Sequence, residues 1–224
     1  MFEQVGPEIW SHECIVRFGF MPLPHRMTII RLANGRLLIH SPTKLTSQTR
    51  SGLAALGEVD YIVAPSWWHD MFLREYVDVF PDAKLCGPLV LVKRYPPLSF
   101  EVILGSGPSP WQDEIDEFYV DQMRLFLNEF VFFHKRSRTL IVADLVHNLS
   151  DNAPAFTKWA YKLHGAYPGC SIPRFYRLAP KDRRHLRRCI DRILEWDFER
   201  LIVGHSNVIV DNAKACLRDV YRWL

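Results

Sequence analysis

Apolar positions along the chain follow two periods in turn. In the first forty residues, the short runs Glu8–Trp10 and Cys14–Phe20 and the alternating, β-branched run Met27–Ala33 read as strands. Pro22 and Pro24 are expected to interrupt the pairing, because proline brings no N–H to a ladder. Asn34-Gly35 separates Met27–Ala33 from the apolar run Arg36–His40. An Asn-Gly pair between two such runs predicts a tight hairpin with positive φ at both turn positions.

After Ser41-Pro42 the period changes. Thr46 is placed to cap a helix carrying Leu53, Ala54 and Leu56, which Gly57 ends. Tyr61–Ala64 reads as a buried strand stopped by Pro65. His69–Phe80 reads as a helix whose Phe72, Leu73, Val77 and Phe80 share a face. A strand at Lys84–Cys86, a helix at Pro88–Arg94 and a strand at Ser99–Leu104 follow, and then the loop-rich stretch Gly105–Pro110. Asp116–Val120, Arg124–Leu127, Glu129–His134 and Thr139–Leu145 form a second run of strands. Ala155–His164 reads as a helix and Tyr167–Pro173 as irregular. Lys181–Trp196 is amphipathic, with Leu186, Cys189, Ile190, Ile193 and Leu194 on one stripe. Arg200–Val203 is a last strand, and Asp211 is placed to cap a final helix.

Strands, then helices, then strands, then helices is not the strict alternation of a doubly wound sheet. It suits an α/β arrangement of two β-rich halves packed face to face and covered by helices. We expect one domain over residues 1–224, its halves joined near 105–110. Of the 224 residues, 48% are hydrophobic and 24% charged, as in ordinary globular chains. A net charge of +3 compels no polyanionic partner, so nucleic-acid binding is not expected. The basic residues between Lys181 and Arg192 read as a solvated helix face. No apolar run reaches the ~20 residues of a membrane span, and no leader pattern opens the chain. The five cysteines are widely spaced without a CxxC pair, which reads as reduced, buried thiols of a cytoplasmic protein.

Candidate chemistry gathers at strand ends, where scaffolds usually place it. His69 and Asp70 follow Tyr61–Ala64, and Asp144 ends Thr139–Leu145. His205 lies in Gly204-His205-Ser206 after Arg200–Val203, and His40 ends the hairpin. Imidazole and carboxylate together suit Zn, Mn or Fe. Trp67-Trp68, beside these residues, are candidates for the wall or lid of a substrate pocket, together with His40.

The order of elements and these placements resemble the metallo-β-lactamase superfamily over nearly the whole chain. LLIHSPT resembles the family's early strand, which closes with Asp and Gly. YIVAPSWWHDMF resembles the loop bearing the hallmark His-x-His-x-Asp-His, TLIVADL the strand bearing a bridging Asp, and LIVGHS the late Gly-His turn. The resemblance implies a four-layer αββα sandwich. It also implies a departure: Ser66, Trp68 and Met71 stand where three of the motif's histidines belong. The three-histidine metal position is then lost, and a single position built from Asp70, Asp144 and His205 remains, with His69 or His40 to fill in as a fourth ligand.

The resemblance implies hydrolysis of a small-molecule ester, lactone, amide, thioester or phosphodiester by a divalent metal centre with at most one ion, Asp70 and His69 serving the chemistry. Two alternatives stay open. One is a binding or regulatory protein that uses the old pocket without metal. The other is a metal-free enzyme with His69 or His205 as base beside Ser66 or Ser206.

Overall fold

The structure is a computed structural model that describes residues 2–124 and 127–224. The first sheet has seven strands in chain order: β1 (Glu3–Gly6), β2 (Ile9–Phe18), β3 (Met21–Arg31), β4 (Leu37–His40), β5 (Val59–Val63), β6 (Lys84–Gly87) and β7 (Val102–Ile103). β1 to β4 pair antiparallel and β4 to β7 parallel. The crossovers carry α1 (Ser47–Leu56), α2 (Leu73–Val79) and α3 (Leu89–Arg94). The second sheet contains β8 (Ile115–Val120), β9 (Glu129–His134), β10 (Thr139–Ile141) and, after a ribbon of β11 (His147–Leu149) and β12 (Gly169–Ser171), β13 (Arg200–Ile202). Its order is β13-β10-β9-β8. Helices α4 (Ala155–Leu163), α5 (Arg183–Glu195) and α6 (Ala213–Val220) complete the fold.

Alternation along each strand creates the layers. Ile30, Leu38 and Val63 face inward and meet Phe130, Phe132, Ile141 and Ile202 of the second sheet. Their neighbours Ile29, Ile39 and Ile62 face outward onto Leu53, Tyr76 and Leu91 of α1, α2 and α3. Val131, Leu140 and Leu201 face the other way, onto Leu186, Ile190 and Ile193 of α5 and Leu217 of α6. The result is the expected four-layer αββα sandwich.

Several local expectations are corrected. β2 pairs with β3 without a break, Ile15 opposite Pro24 and Arg17 opposite Pro22. Only Thr28–Arg31 of β3 pairs with β4. The two prolines, at the same parity, therefore turn their missing N–H toward the edge of β3 that β4 leaves unpaired, where His205 and Thr157 bond to their carbonyls instead. The turn before β4 is wider than a two-residue hairpin. Leu32 N–H donates to Arg36 O at 2.9 Å and Gly35 N–H to Leu32 O at 2.8 Å. Only Gly35 takes a positive φ, 80°, while Asn34 Oδ1 accepts from Arg36 N–H at 2.9 Å.

The helix expected from His69 starts only at Leu73, and β10 ends at Ile141 rather than Leu145. Both shortenings have causes in the site described below. The final helix begins after Asn212, held at φ 56°, rather than from an Asp211 cap. The stretch expected to be irregular contains β12, paired with β11. Cys170 of β12 is disulfide-bonded to Cys216 of α6, with Cα atoms 6.1 Å apart, so only Cys14, Cys86 and Cys189 are free thiols. Two widely separated cysteines met because the ribbon folds against α6, which spacing alone does not show. Of the strand expected at Arg124–Leu127, Leu125 and Phe126 lie outside the described residues, and the flanking Met123 makes an isolated bridge to Pro180. No described helix is long and apolar enough to cross a membrane.

Candidate metal centre and its cavity

Three strand-end loops converge at one edge of the sandwich. The loop after β5 brings His69, the loop after β10 brings Asp144, and the loop after β13 brings His205. One ligand atom from each lies within 4.8 Å of the others, and all three side chains are buried. His69 Nε2 is 3.7 Å from Asp144 Oδ2, and His205 Nε2 is 3.0 Å from Asp144 Oδ1.

The far side of each ring is fixed. His205 Nδ1 donates to the carbonyl of Pro24 at 2.7 Å. His69 Nδ1 is hydrogen-bonded to the hydroxyl of Ser41, a residue held at φ 56° just past β4. A backbone carbonyl only accepts, so His205 Nδ1 carries a proton and Nε2 is the nitrogen turned toward Asp144. That nitrogen faces a carboxylate oxygen at 3.0 Å. The contact is attractive only with a proton or a cation between the two atoms.

Two further histidines complete the cluster. His25 of β3 donates from Nε2 to Pro42 O at 3.0 Å, and its Nδ1 is buried without a hydrogen bond. Its ring lies 4.9 Å from that of His69, centroid to centroid. His147 of β11 is bonded through Nδ1 to the Tyr161 hydroxyl at 2.9 Å, with Nε2 3.8 Å from Asp144 Oδ1. His69 Nε2, Asp144 Oδ2 and His147 Nε2 make no hydrogen bond among the described residues. Burial raises the Asp144 carboxyl, but the His69 charge and the other imidazoles around it hold it well below the usual carboxylate range. Burial pushes His147 down to about 4 and His25 well below its ordinary value.

Glu129, the first residue of β9, builds the Asp144 loop. It is 1% exposed, and it accepts N–H bonds from Ala143 at 3.1 Å, Asp144 at 2.5 Å and Leu145 at 3.2 Å. Those three N–H groups are taken from the ladder, which is why β10 stops early and presents Asp144 to the cluster. Burial and the Asp144 charge push the Glu129 carboxyl up to about 8, against the three donors. Arg26 of β3 fixes the His205 turn: its backbone N–H donates to Gly204 O at 2.9 Å and its Nε to Ser206 O at 2.7 Å. Gly204 is itself required, since a Cβ there would stand 2.5 Å from both Ala143 O and His69 Cε1.

Not all the expected residues take part. Asp70 turns away from the cluster and accepts from Arg94 Nη1 at 2.8 Å; the same nitrogen donates to Trp67 O at 2.9 Å. The guanidinium lies 4.1 Å from the Trp67 ring centroid. Arg94 thus holds the 67–70 loop in a non-helical turn, which delays the start of α2 and corrects the expectation that Asp70 converges with Asp144 and His205. His40 is buried against Phe132, with ring centroids 5.1 Å apart, and lies outside the cavity lining, as does Trp67. Burial and the nearby His69 lower His40 to about 3. Ser206 Oγ accepts from Ser150 N–H at 2.9 Å, and Ser66 lies opposite Glu129 in an isolated bridge. His134 sits at the far end of β9, bonded to Ser137 Oγ at 2.7 Å. His25, His147 and Glu129 belong to the site and were not singled out for it by sequence. The one local sign was the Asp144-x-x-His147 spacing. A second group of close ligand atoms, Asp121, His185 and Cys189, lies on the α5 side.

A cavity of about 570 Å³ opens above the cluster. His25, His69, Asp144, His147 and His205 form its floor, while Trp68, Phe18 and residues of α4 and the following segment form its walls. Trp68 meets Phe18 edge-on, with centroids 5.2 Å apart.

The donor set suits a divalent metal. It offers several imidazole nitrogens and a carboxylate, with the rings of His205 and His25 anchored by carbonyls, as ligating histidines usually are. His69, Asp144 and His205 would hold such an ion, and His147 and His25 offer further nitrogens.

Comparison with solved structures places this architecture among metallo-β-lactamase folds. DIM-1 metallo-β-lactamase is 15% identical with a TM-score of 0.67, the match covering 100% of this chain and 96% of that one. A metallo-β-lactamase from Hirschia baltica is 9% identical at a TM-score of 0.67, covering 99% and 96%. The Flv1 flavodiiron core from Synechocystis sp. PCC6803 is 10% identical at 0.67, covering 100% of this chain and 60% of that one. At these identities the likeness establishes the fold. No curated protein matches the chain. Residues 7–166 match the family described as "Domain of unknown function (DUF4336)", and the chain belongs to that family.

Proposed function

We propose that the protein is a metal-dependent hydrolase of small molecules with a reduced, single-ion site held by His69, Asp144 and His205. The observation that carries this reading is the convergence of His69, Asp144 and His205, with His205 Nε2 set 3.0 Å from Asp144 Oδ1, beneath an open cavity. In this reading the site departs from the His-x-His-x-Asp-His loop of the superfamily: Ser66, Trp68 and Met71 supply no imidazole, and His25 and His147 bring nitrogens from other strands instead. A bound ion lowers the pKa of a coordinated water toward ~7 and polarises a carbonyl or phosphoryl oxygen. Ser41 and Pro24 keep the ring nitrogens of His69 and His205 aimed inward, and Glu129 keeps Asp144 in place. His147, tied to Tyr161, is placed to hold a proton at Nε2 beside the cluster. The apolar walls exclude water from the reacting group.

Equilibrium dialysis of purified protein against Zn, Mn and Fe, followed by elemental analysis, tests the centre. One ion per chain is expected, and loss of that ion in Asp144→Asn. Failure to retain any of the three metals would refute the proposal. The apolar cavity favours a second reading, a ligand-binding protein without catalysis. Ester turnover by metal-replete protein, absent in Asp144→Asn, separates the two.

A further inference from the structure

The described residues lining the cavity include no Lys, Arg or Glu, and the only carboxylate is Asp144 in the floor. The rest of the wall is aromatic and aliphatic: Phe18, Trp68, Phe156, Trp159, Leu163 and Phe175 among others. Of the polar groups in the lining, the Tyr161 hydroxyl is used by His147 and the far nitrogens of the floor by Ser41, Pro24 and Pro42. At the rim, large apolar side chains stand in water. Phe20 is 82% exposed, Leu163 63% and Trp159 60%. Exposed apolar surface on this scale, continuous with a concave site, marks a place where something binds.

An anionic group held by these walls would lose its hydration without meeting a Lys or Arg side chain among the described lining residues. A charged group that is desolvated and unpaired is strongly disfavoured. A neutral chain or ring would instead remove both its own apolar surface and the wall's from water. The volume of about 570 Å³ lies within the range of sites for drug-sized ligands.

We propose that this cavity takes a neutral, apolar molecule, an alkyl or aryl group joined to an uncharged carbonyl, and that such esters or lactones are the substrate class of the centre below it. The second half rests on the hydrolase reading. The apolar part fills the aromatic walls, and the carbonyl is the only polar group to reach the histidine floor. Hydrolysis then consumes one water and breaks the acyl C–O bond, releasing a carboxylic acid and an alcohol, or a hydroxy acid from a lactone. Once ionised, the product acid meets no Lys or Arg among the described lining residues of the walls.

The test uses full-length, metal-free protein and straight-chain primary alcohols from butanol to decanol, with binding read by tryptophan fluorescence and calorimetry. Affinity is expected to rise about fourfold per methylene (~0.8 kcal/mol) until the cavity is full. The carboxylate of equal length is expected to bind far more weakly at neutral pH. Leu163→Arg, at an exposed position that leaves the fold alone, is expected to weaken the alcohol and strengthen the carboxylate. Affinity that ignores chain length, or equal affinity for alcohol and carboxylate, overturns the proposal. The matching esters are then given to metal-replete protein. Length-dependent binding without turnover overturns the hydrolase reading and leaves the ligand class standing. Preferential turnover of short or charged esters overturns the ligand class and leaves the hydrolase reading.

Discussion

Replacing Glu129 separates two roles of one buried carboxyl, holding a loop and holding Asp144. Its two oxygens take three backbone N–H groups: Ala143 on Oε1, and Asp144 and Leu145 on Oε2. A buried donor left without a partner costs ~1–3 kcal/mol. Glu129→Ala orphans all three, but it also removes a carboxyl whose ionised form is disfavoured beside Asp144. The net loss is expected near the lower end, about 3–4 kcal/mol. Glu129→Gln keeps one acceptor oxygen with two lone pairs. Placed at the Oε2 position, that oxygen serves Asp144 and Leu145 and leaves only the Ala143 N–H facing an NH₂ group, a loss of about 1–2 kcal/mol. Urea unfolding of metal-free protein in chelator reads the difference as a shift in midpoint at constant slope. In both variants metal affinity is expected to fall on the order of 10–100-fold, as for other groups that orient ligands. Equal midpoints for the Gln and Ala proteins, or unchanged metal affinity in both, would refute the assignment of Glu129 as the residue that positions Asp144.

Three more outcomes follow from the geometry. Asp70→Asn breaks the 2.8 Å ion pair with Arg94 and is expected to lower stability by ~1–3 kcal/mol while metal stoichiometry stays at the wild-type value; loss of the ion would make Asp70 a ligand. Gly204→Ala forces a Cβ to 2.5 Å from His69 Cε1, so both Tm and metal affinity should drop, and normal values for both would show that the turn has room. Burial holds His134 down at about 4, below an unfolded value near ~6.5. Its contribution is therefore present above pH ~6.5 and is lost as pH falls toward 4, amounting to at most about 3 kcal/mol. The loss of stability between neutral and acid pH should be smaller in His134→Asn than in wild type, and an identical pH dependence would exclude this histidine as a source.

The hydrophobic pattern alone marked most of the strands and helices and the alternation of faces along each strand, while the order in which strands pair came from the tertiary structure. Ile29 and Ile30, or Ile39 and Leu38, part to opposite faces of one sheet because strand side chains alternate, and two such faces must be covered. Thr46 capping α1 through the Thr49 N–H, and the stripe of α5, were legible for the same local reason. The ends of elements were not. β10 stops where Glu129, fourteen residues earlier in the chain, takes the N–H of Ala143. α2 starts late because Arg94, twenty-four residues on, holds Asp70.

The site divides in the same way. Strand-end position brought forward His69, Asp144 and His205, since a polar residue closing a buried strand can be seen in one dimension. Whether a side chain turns inward depends on partners from distant segments. Ser41 and Pro24 aim His69 and His205 at Asp144, Arg94 draws Asp70 away, and the register of β3 and β11 brings in His25 and His147. The direction of a ring is set by hydrogen bonds that exist only once the two sheets have met, so tertiary structure alone decided it.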